Sequence, residues 1–479
     1  MTRRPSDRVI LAVLVVAGLA YAVQQTMVIP ALPRLQRDLD TTTDWTTWLL
    51  TGFLLSASVG TPLLGKLGDQ HGKKRMLVLS LALFLVGCIG AAAAWDIWSL
   101  IVFRVLQGAA GAIFPLAFSI MRDEFPRERL PTAIGTMSAV FGIGGSGGLV
   151  IAGLIVDNTS WRLIFVVGAI PVVAALALVL RLVPESTNKT PSKLDLPGAL
   201  LLSGGLVALL IALTEGESWG WGSGRVLGLL AAAAALLVAW VRVELRVPEP
   251  MVDMRMMANR PVLFTNLTAF IAGLAMYSSF VLLPNFMQTP RQFPDQFAQL
   301  ADYGFRATAT ESGLYLAPGS LLMLVAAPLA GILGRRFGSK WPLAIGMVMI
   351  AIGAGLVSAL NDAPWEIIVA TVVLTPGVSL AFAAMSTLIT QSVRPTETGV
   401  ANAMNTVLRT VGGVVGAQVG AAILSAHRIG DSPVPDGGGY ATAFAIFAGA
   451  AAIGAIVALL VTPRRSGPAS LGVPAPSRA

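Results

Sequence analysis

Runs of about twenty apolar residues recur from one end of this chain to the other, and they limit its fold more than any other feature. A helix rising 1.5 Å per residue needs about 20 such residues to cross the ~30 Å hydrocarbon core of a bilayer. Fourteen stretches qualify, at about 9–31, 45–65, 76–95, 98–121, 132–156, 162–182, 196–215, 225–243, 261–287, 312–333, 342–360, 366–390, 399–424 and 440–462. Of 479 residues 55% are hydrophobic and 12% charged, against roughly 25% charged in an ordinary soluble domain. A soluble core cannot hide that much apolar sequence, which excludes a soluble enzyme, a secreted protein and a disordered chain. The runs are apolar all round rather than alternating, which excludes a β-barrel.

The net charge of +8 does not point to nucleic acid, because the basic residues sit in short clusters between apolar runs, where they set membrane orientation. An N-terminus in the cytoplasm puts about 24 Lys and Arg in cytoplasmic segments and about 7 outside, so both termini are expected inside. The opening MTRRPSDR and the run after it imitate a signal peptide, but the run continues from Val9 to about Ile29 without a small-residue cleavage site and is read as a retained first helix. Cys88, the one cysteine, lies in an apolar run as a small buried hydrophobe, and His71 and His427 lie far apart in polar loops. No metal or cofactor is expected. The tail 463–479, rich in Pro, Ser and Gly, is expected to be disordered.

An internal echo organises the spans. Gly65-Lys66-Leu67-Gly68-Asp69-Gln70-His71-Gly72-Lys73-Lys74 follows span 2, and Gly331-Ile332-Leu333-Gly334-Arg335-Arg336-Phe337-Gly338-Ser339-Lys340 follows span 10. The expected division is a six-helix lobe in 1–183, a linker with two extra transmembrane helices in 184–260, and a second six-helix lobe in 261–462. Two six-helix halves related by a pseudo-symmetry axis are the layout of many secondary transporters.

With this repeat the chain resembles the major facilitator superfamily, and most of all its fourteen-helix drug/proton antiporters. The carriers of the resemblance are Gly65-x-Leu67-x-Asp69-x-x-Gly72-Lys73-Lys74-Arg75, Arg104-x-x-Gln107-Gly108, and the inserted pair with Glu215-Gly216 and Trp219-Gly220-Trp221-Gly222. Leu283-Pro284-x-x-Met287-Gln288, Gly313-x-x-x-x-Pro318-Gly319 and Arg409-Thr410-Val411-Gly412-Gly413 add to it. It implies an all-α integral membrane fold of two six-helix bundles plus two inserted helices. Two departures stand out: Gln24 occupies the position at which the family carries an acid in span 1, and Gly148-Leu149-Val150-Ile151-Ala152-Gly153 lacks the Pro and one Gly of the family's span-5 motif.

The candidate site residues fall into four groups. Gly65, Asp69, Gly72, Lys73, Lys74 and Arg75, with Glu124, form a candidate conformational latch: Asp69 is expected to face the positive N-terminus of span 13, and the cations to pair with Asp123 or Glu124. Arg104 and Gln107 in span 4 and Arg409 in span 13 form a candidate coupling relay, because a cation at such depth costs several kcal/mol unless paired or hydrated and therefore faces the bundle interior. Tyr21, Gln24, Gln25, Trp48, Phe53, Tyr277, Phe280, Asn402 and Asn405 are candidate cavity or substrate residues. Gly142, Gly144, Gly145, Gly147, Gly148 and Gly153 crowd span 5 as a candidate seam between the lobes. Trp45, Trp95, Trp98, Trp161 and Trp365 read as interfacial anchors. The aromatics Phe293, Phe297, Tyr303 and Phe305 of the loop after span 9 are a candidate lid.

Gly142-x-Gly144-x-x-Gly147 formally matches a dinucleotide fingerprint but lies mid-membrane with no strand before it, and no phosphate-binding G-x-x-x-x-G-K-[ST] loop is present. Energy therefore has to come from a gradient. The resemblance implies export of lipophilic or cationic small molecules across the plasma membrane by alternating access, with protons as coupling ion, membrane lipid as surroundings and a monomer as the working unit. A narrower or uncoupled carrier of a metabolite or lipid, and a membrane sensor or scaffold, are the alternatives.

Overall fold

The computed structural model describes residues 6–41, 43–126, 128–186, 195–289, 303–429 and 435–462. Those residues form helices joined by short turns, and no strand occurs among them. The first lobe holds α1 (Asp7–Thr26), the short α2 (Leu32–Asp38), α3 (Thr43–His71), α4 (Lys73–Ala92), α5 (Ile97–Ala109), α6 (Ile113–Glu124), α7 (Leu130–Asn158) and α8 (Arg162–Leu182). The linker holds α9 (Leu196–Thr214), the single turn α10 (Gly216–Trp219), α11 (Gly224–Glu244) and the single turn α12 (Met254–Met257). The second lobe holds α13 (Arg260–Gln288), α14 (Ala309–Phe337), α15 (Lys340–Ala359), α16 (Pro364–Ser392), α17 (Thr398–Ala426) and α18 (Gly437–Leu459). Among the described residues thirteen helices are long and apolar enough to cross a membrane. The tail 463–479 and the centre of the loop after α13 lie outside the described residues.

The helices differ in length by position. Six of them (α3, α7, α13, α14, α16 and α17) run 29 residues, about 44 Å at 1.5 Å per residue, longer than a hydrocarbon core. The two lobes meet through α3 and α17 and through α7 and α14, all from this set. Each lobe packs around its own apolar cluster, one built on Leu14, Tyr21, Phe84, Ile113 and Met137 and the other on Met276, Phe286, Met347, Phe444 and Phe447.

Span 4 departs from the expected single helix. It breaks at Ala110–Ala112 into α5 and α6. Pro115 has no N–H to donate to the carbonyl of Gly111, four residues back, so the ladder stops there. The neighbouring backbone is served locally, by Gly111 N–H to Gly108 O at 2.8 Å and Leu116 N–H to Ala112 O at 2.9 Å. Asp96 starts α5 as an N-cap, accepting from Ser99 N–H at 2.8 Å, and these hydrogen bonds hold its carboxyl below the usual Asp range.

The inserted helices sit across the α3–α17 contact. Leu202, Leu206 and Leu210 of α9 share a cluster with Val400, Ala401, Met404 and Val407 of α17, and Leu55 and Leu63 of α3 pack against it.

Candidate functional site

The end of the bundle that carries Lys66, Lys73, Lys74, Arg75, Arg122 and Arg335 is called the basic end below. Gly72 links α3 to α4 there with φ +121°, a conformation suited to glycine, and a side chain at this position would collide with the Glu185 carboxylate. Lys73 is fully buried and pairs with Asp123 at 2.7 Å, as expected. Arg75 pairs with Glu185 at 3.6 Å, and Lys74 donates its backbone N–H to the same carboxylate at 3.2 Å. These contacts join α4 to α6 and to the chain after α8, so the three cations brace the first lobe from within and do not reach across to the second. Glu124, next to Asp123, is half-buried at the end of α6.

Asp69 does reach across. Its Oδ2 accepts the Val400 N–H at the start of α17, 3.2 Å away, and Ser119 Oγ lies 3.4 Å from its other oxygen. The carboxylate therefore faces the positive end of the α17 dipole. One turn earlier Gly65 lies against the backbone of Gly399, so that a Cβ on Gly65 would stand 3.1 Å from the Gly399 carbonyl and one on Gly399 would stand 2.9 Å from Asp69 and Gly65. Arg122 of α6 adds a second bridge, donating to Thr398 Oγ1 at 2.6 Å and to the Val393 carbonyl at 2.8 Å. Sequence reading missed Arg122 and Glu185. A basic residue in the last turn of α6 was the only signal for the first.

The α7–α14 contact is glycine-built along its length. Gly135 lies against Ala327, Gly331 against Pro131 and Thr132, Gly153 against Thr310, and Gly313 against Val150. Each helix carries its two glycines eighteen positions apart, five turns at 3.6 residues per turn, hence on one face. This corrects the expected seam. Gly144 and Gly148 pack against Ala22, Val23 and Thr26 of α1, within the first lobe, and Gly147 has open space beside it. Gly145 lines the cavity described next, and the side of Gly142 lies outside the described residues. Of the described members of the expected set, Gly153 is the one whose nearest neighbours lie on α14, and Gly135 was missed.

Between the two lobe contacts lies a cavity of two chambers that share Gln25 and Leu54. The larger, ≈ 110 Å³, is lined by Phe53, Arg104, Leu149, Met276, Met323 and Val378 among others. The smaller, ≈ 20 Å³, is lined by Tyr21, Thr61, Phe114 and Arg409 among others. Arg104 is 1% exposed. It donates to the Leu49 carbonyl at 3.1 Å and to Gln107 Oε1 at 2.6 Å, and its guanidinium lies 4.4 Å over the Phe53 ring. Gln107 passes the chain on to Cys88 Sγ at 3.5 Å, so Cys88 is more than core filling. Arg409 lies 4.1 Å over Phe382.

Several expected cavity residues are placed elsewhere. Gln24 is fully buried against Gly168 of α8 with both amide ends unpartnered, turned away from the chambers that Gln25 lines. Tyr21 and Gln25 are one turn apart and share a face, while Gln24 lies about 100° round the helix. Asn402 donates to Thr390 and Thr398, and Asn405 to Asn266 at 2.9 Å, so both tie second-lobe helices together. Trp48 packs against the apolar cluster that includes Met27, Leu49 and Trp161. The side chains of Tyr277 and Phe280 lie outside the described residues, as do Phe293 and Phe297. Tyr303 and Phe305 pack on Phe286 inside the second-lobe cluster rather than over an opening. Trp161 is 0% exposed and is core, not an anchor, whereas Trp95, Trp98 and Trp365 are exposed.

Two helical lobes around a shared polar-flecked cavity define the class, a membrane carrier for small molecules. The Major Facilitator Superfamily model matches residues 14–305 and 265–478, and the chain belongs to that family. It is 30% identical over 420 residues to the tetracenomycin C resistance and export protein of Streptomyces glaucescens, covering 87% of this chain and 75% of that one. It is 27% identical over 422 residues to multidrug resistance protein 3 of Bacillus subtilis, covering 87% and 79%. Among solved structures it shares the fold of a human organic anion transporter (TM-score 0.67, 14% identity, 95% of this chain and 100% of that one). The same holds for a proton:xylose symporter (TM-score 0.62, 12% identity, 94% of each). The protein is thus an integral membrane transporter of the drug-resistance type, and its relatives are named as transporters rather than enzymes.

Proposed function

We propose that this transporter exports lipophilic small molecules from the cell by alternating access, in exchange for protons. The observation that carries the reading is the cavity built from both lobes and shut at the basic end by Asp69, Gly65 and Arg122. In this reading the chain crosses the plasma membrane fourteen times, with α7 as the remaining span, both termini and the basic end in the cytoplasm, lipid around a monomer, and the cavity facing outward. The lysines and arginines at that end support the orientation. Release of Asp69 from the α17 N-terminus would let the basic end open while the glycine-built α7–α14 contact serves as the pivot.

No carboxylate lines either chamber among the described residues, so in this reading the titrating group sits at the basic end, on Asp69 with Glu124 nearby. The test is dye-reported proton flux in inverted vesicles as lipophilic drugs are added. Substrate-dependent dissipation of a pH gradient, lost in Asp69→Asn combined with Glu124→Gln, is the expected result. Flux unchanged by both substitutions overturns the assignment. The lack of a cavity acid also favours a second reading, an uncoupled carrier, which the same assay identifies by drug movement without proton movement.

A further inference from the structure

From the charge of the cavity, and resting on the exporter reading, we infer that the substrates are amphipathic organic anions: an apolar, ring-sized body with one carboxylate, sulfonate or phenolate. Arg104 carries the argument. It is buried in the membrane-spanning part of the first lobe and lines the larger chamber. The partners that hold it are a backbone carbonyl, an amide oxygen and the face of Phe53, all neutral. No carboxylate among the described residues lies within ion-pair distance of it. A charge at this depth is costly unless compensated, and in a protein interior with an effective dielectric near 20 it acts over the width of a chamber.

Arg409 lines the smaller chamber on the opposite lobe. The pair gives the shared cavity two positive charges, one from each lobe, with no acid in its described lining. A cationic drug would meet like charge in a low-dielectric space. An anion supplies what the site lacks, and a planar guanidinium matches the two oxygens of a carboxylate. The rest of the lining, Leu50, Phe53, Leu149, Met276, Met323 and Val378, fits an aromatic or aliphatic body, with methionines adapting to its shape. Of the lipophilic or cationic substrates that the resemblance implies, this lining favours lipophilic ones that carry an acid head, oriented towards Arg104.

The test uses three probes with one body: 1-naphthylacetate, 1-naphthylacetamide and (1-naphthylmethyl)trimethylammonium. Binding to the purified full chain in detergent is measured by titration calorimetry, and movement by uptake into inverted vesicles. Charge-assisted hydrogen bonds are about twice as strong as neutral ones, so the carboxylate is expected to bind at least about tenfold tighter than the trimethylammonium probe and to be moved faster. Arg104→Gln should erase most of that preference, and Arg104→Lys should restore part of it. Because a buried arginine can be needed for folding, the wild-type ranking alone also decides. Equal or tighter binding and movement of the ammonium or amide probe overturns the anion assignment and leaves the exporter standing. Folded protein that neither binds nor moves any of the three overturns both.

Discussion

The α3–α17 and α7–α14 contacts are the same contact made twice, and they differ at the position of Asp69 and at the end away from it. The internal echo sets Gly65 against Gly331 and Asp69 against Arg335. Both glycines press on the backbone at the start of the facing helix, Gly399 in α17 and Pro131 in α7. Asp69, buried, accepts from the first turn of α17. Arg335, exposed, donates to the Glu128 carbonyl just before α7 at 3.0 Å. The α7–α14 pair also closes at its other end, where Gly153 and Gly313 interlock and Thr310 donates to Asp157 at 2.8 Å. The α3–α17 pair is instead parted by the smaller chamber beyond its basic end. One copy packs glycine on backbone at both ends, and the other adds a buried carboxylate and Arg122 to its Gly65–Gly399 contact at the basic end. In the alternating-access reading proposed above, the two contacts would serve as two hinges, and the Asp69 charge would make one of them releasable.

That comparison can be broken most forcefully at the packed copy. Gly135→Leu or Gly331→Leu would drive a side chain into the facing backbone, and overpacking of this kind costs about 1–3 kcal/mol or more. Loss of monodisperse protein by size-exclusion chromatography in detergent is the expected outcome. Gly65→Ala is the milder counterpart, because its Cβ would stand 3.1 Å from the Gly399 carbonyl. The fold should survive while the basic end is less often closed. Asp69→Asn keeps an acceptor and removes the charge. At about 1–2 kcal/mol for a partly buried charge at a helix end, the open population at the basic end should rise roughly five- to thirtyfold. Spin-label distances between the basic ends of α3 and α17 would read this, and an unchanged distribution would sink the releasable-hinge reading. Arg335→Gln, at the symmetry-related but exposed position, should change stability by no more than about 0.5 kcal/mol.

The smallest effect is expected at Asp96, remote from both contacts. Its folded pKa is depressed, so its contribution is present above the unfolded value of about 3.9 and is lost only as pH falls through the lower folded value. Asp96→Asn should therefore leave the spin-label distances untouched at neutral pH and weaken only the cap of α5.

The all-helical membrane fold was readable because an apolar run of membrane length is unambiguous, and thirteen such helices stand among the described residues. The interior of the lobes was less so. Composition places Gln24 and Gln25 together, yet helical phase sends one to α8 and the other to the cavity. The glycine crowd of span 5 marks close packing but not the partner, which for Gly144 and Gly148 is α1. The informative signal was subtler: the eighteen-residue spacing of Gly135 and Gly153, matched by Gly313 and Gly331. Asp69 meets the start of α17 because a carboxylate at a helix end has few electrostatic options, whereas Arg75 had several acids within reach and settled on Glu185, and the Lys74 ammonium donates to the Leu180 carbonyl.

The inserted helices bear on the proposed release of the α3–α17 contact. With α9 lying across α3 and α17, a solute dissolved in the bilayer meets a helical wall on that flank instead of a slot between lobes. If the basic end opens as proposed, each opening would have to slide past or carry that wall, which would make the viscosity and thickness of the surrounding lipid part of the turnover rate.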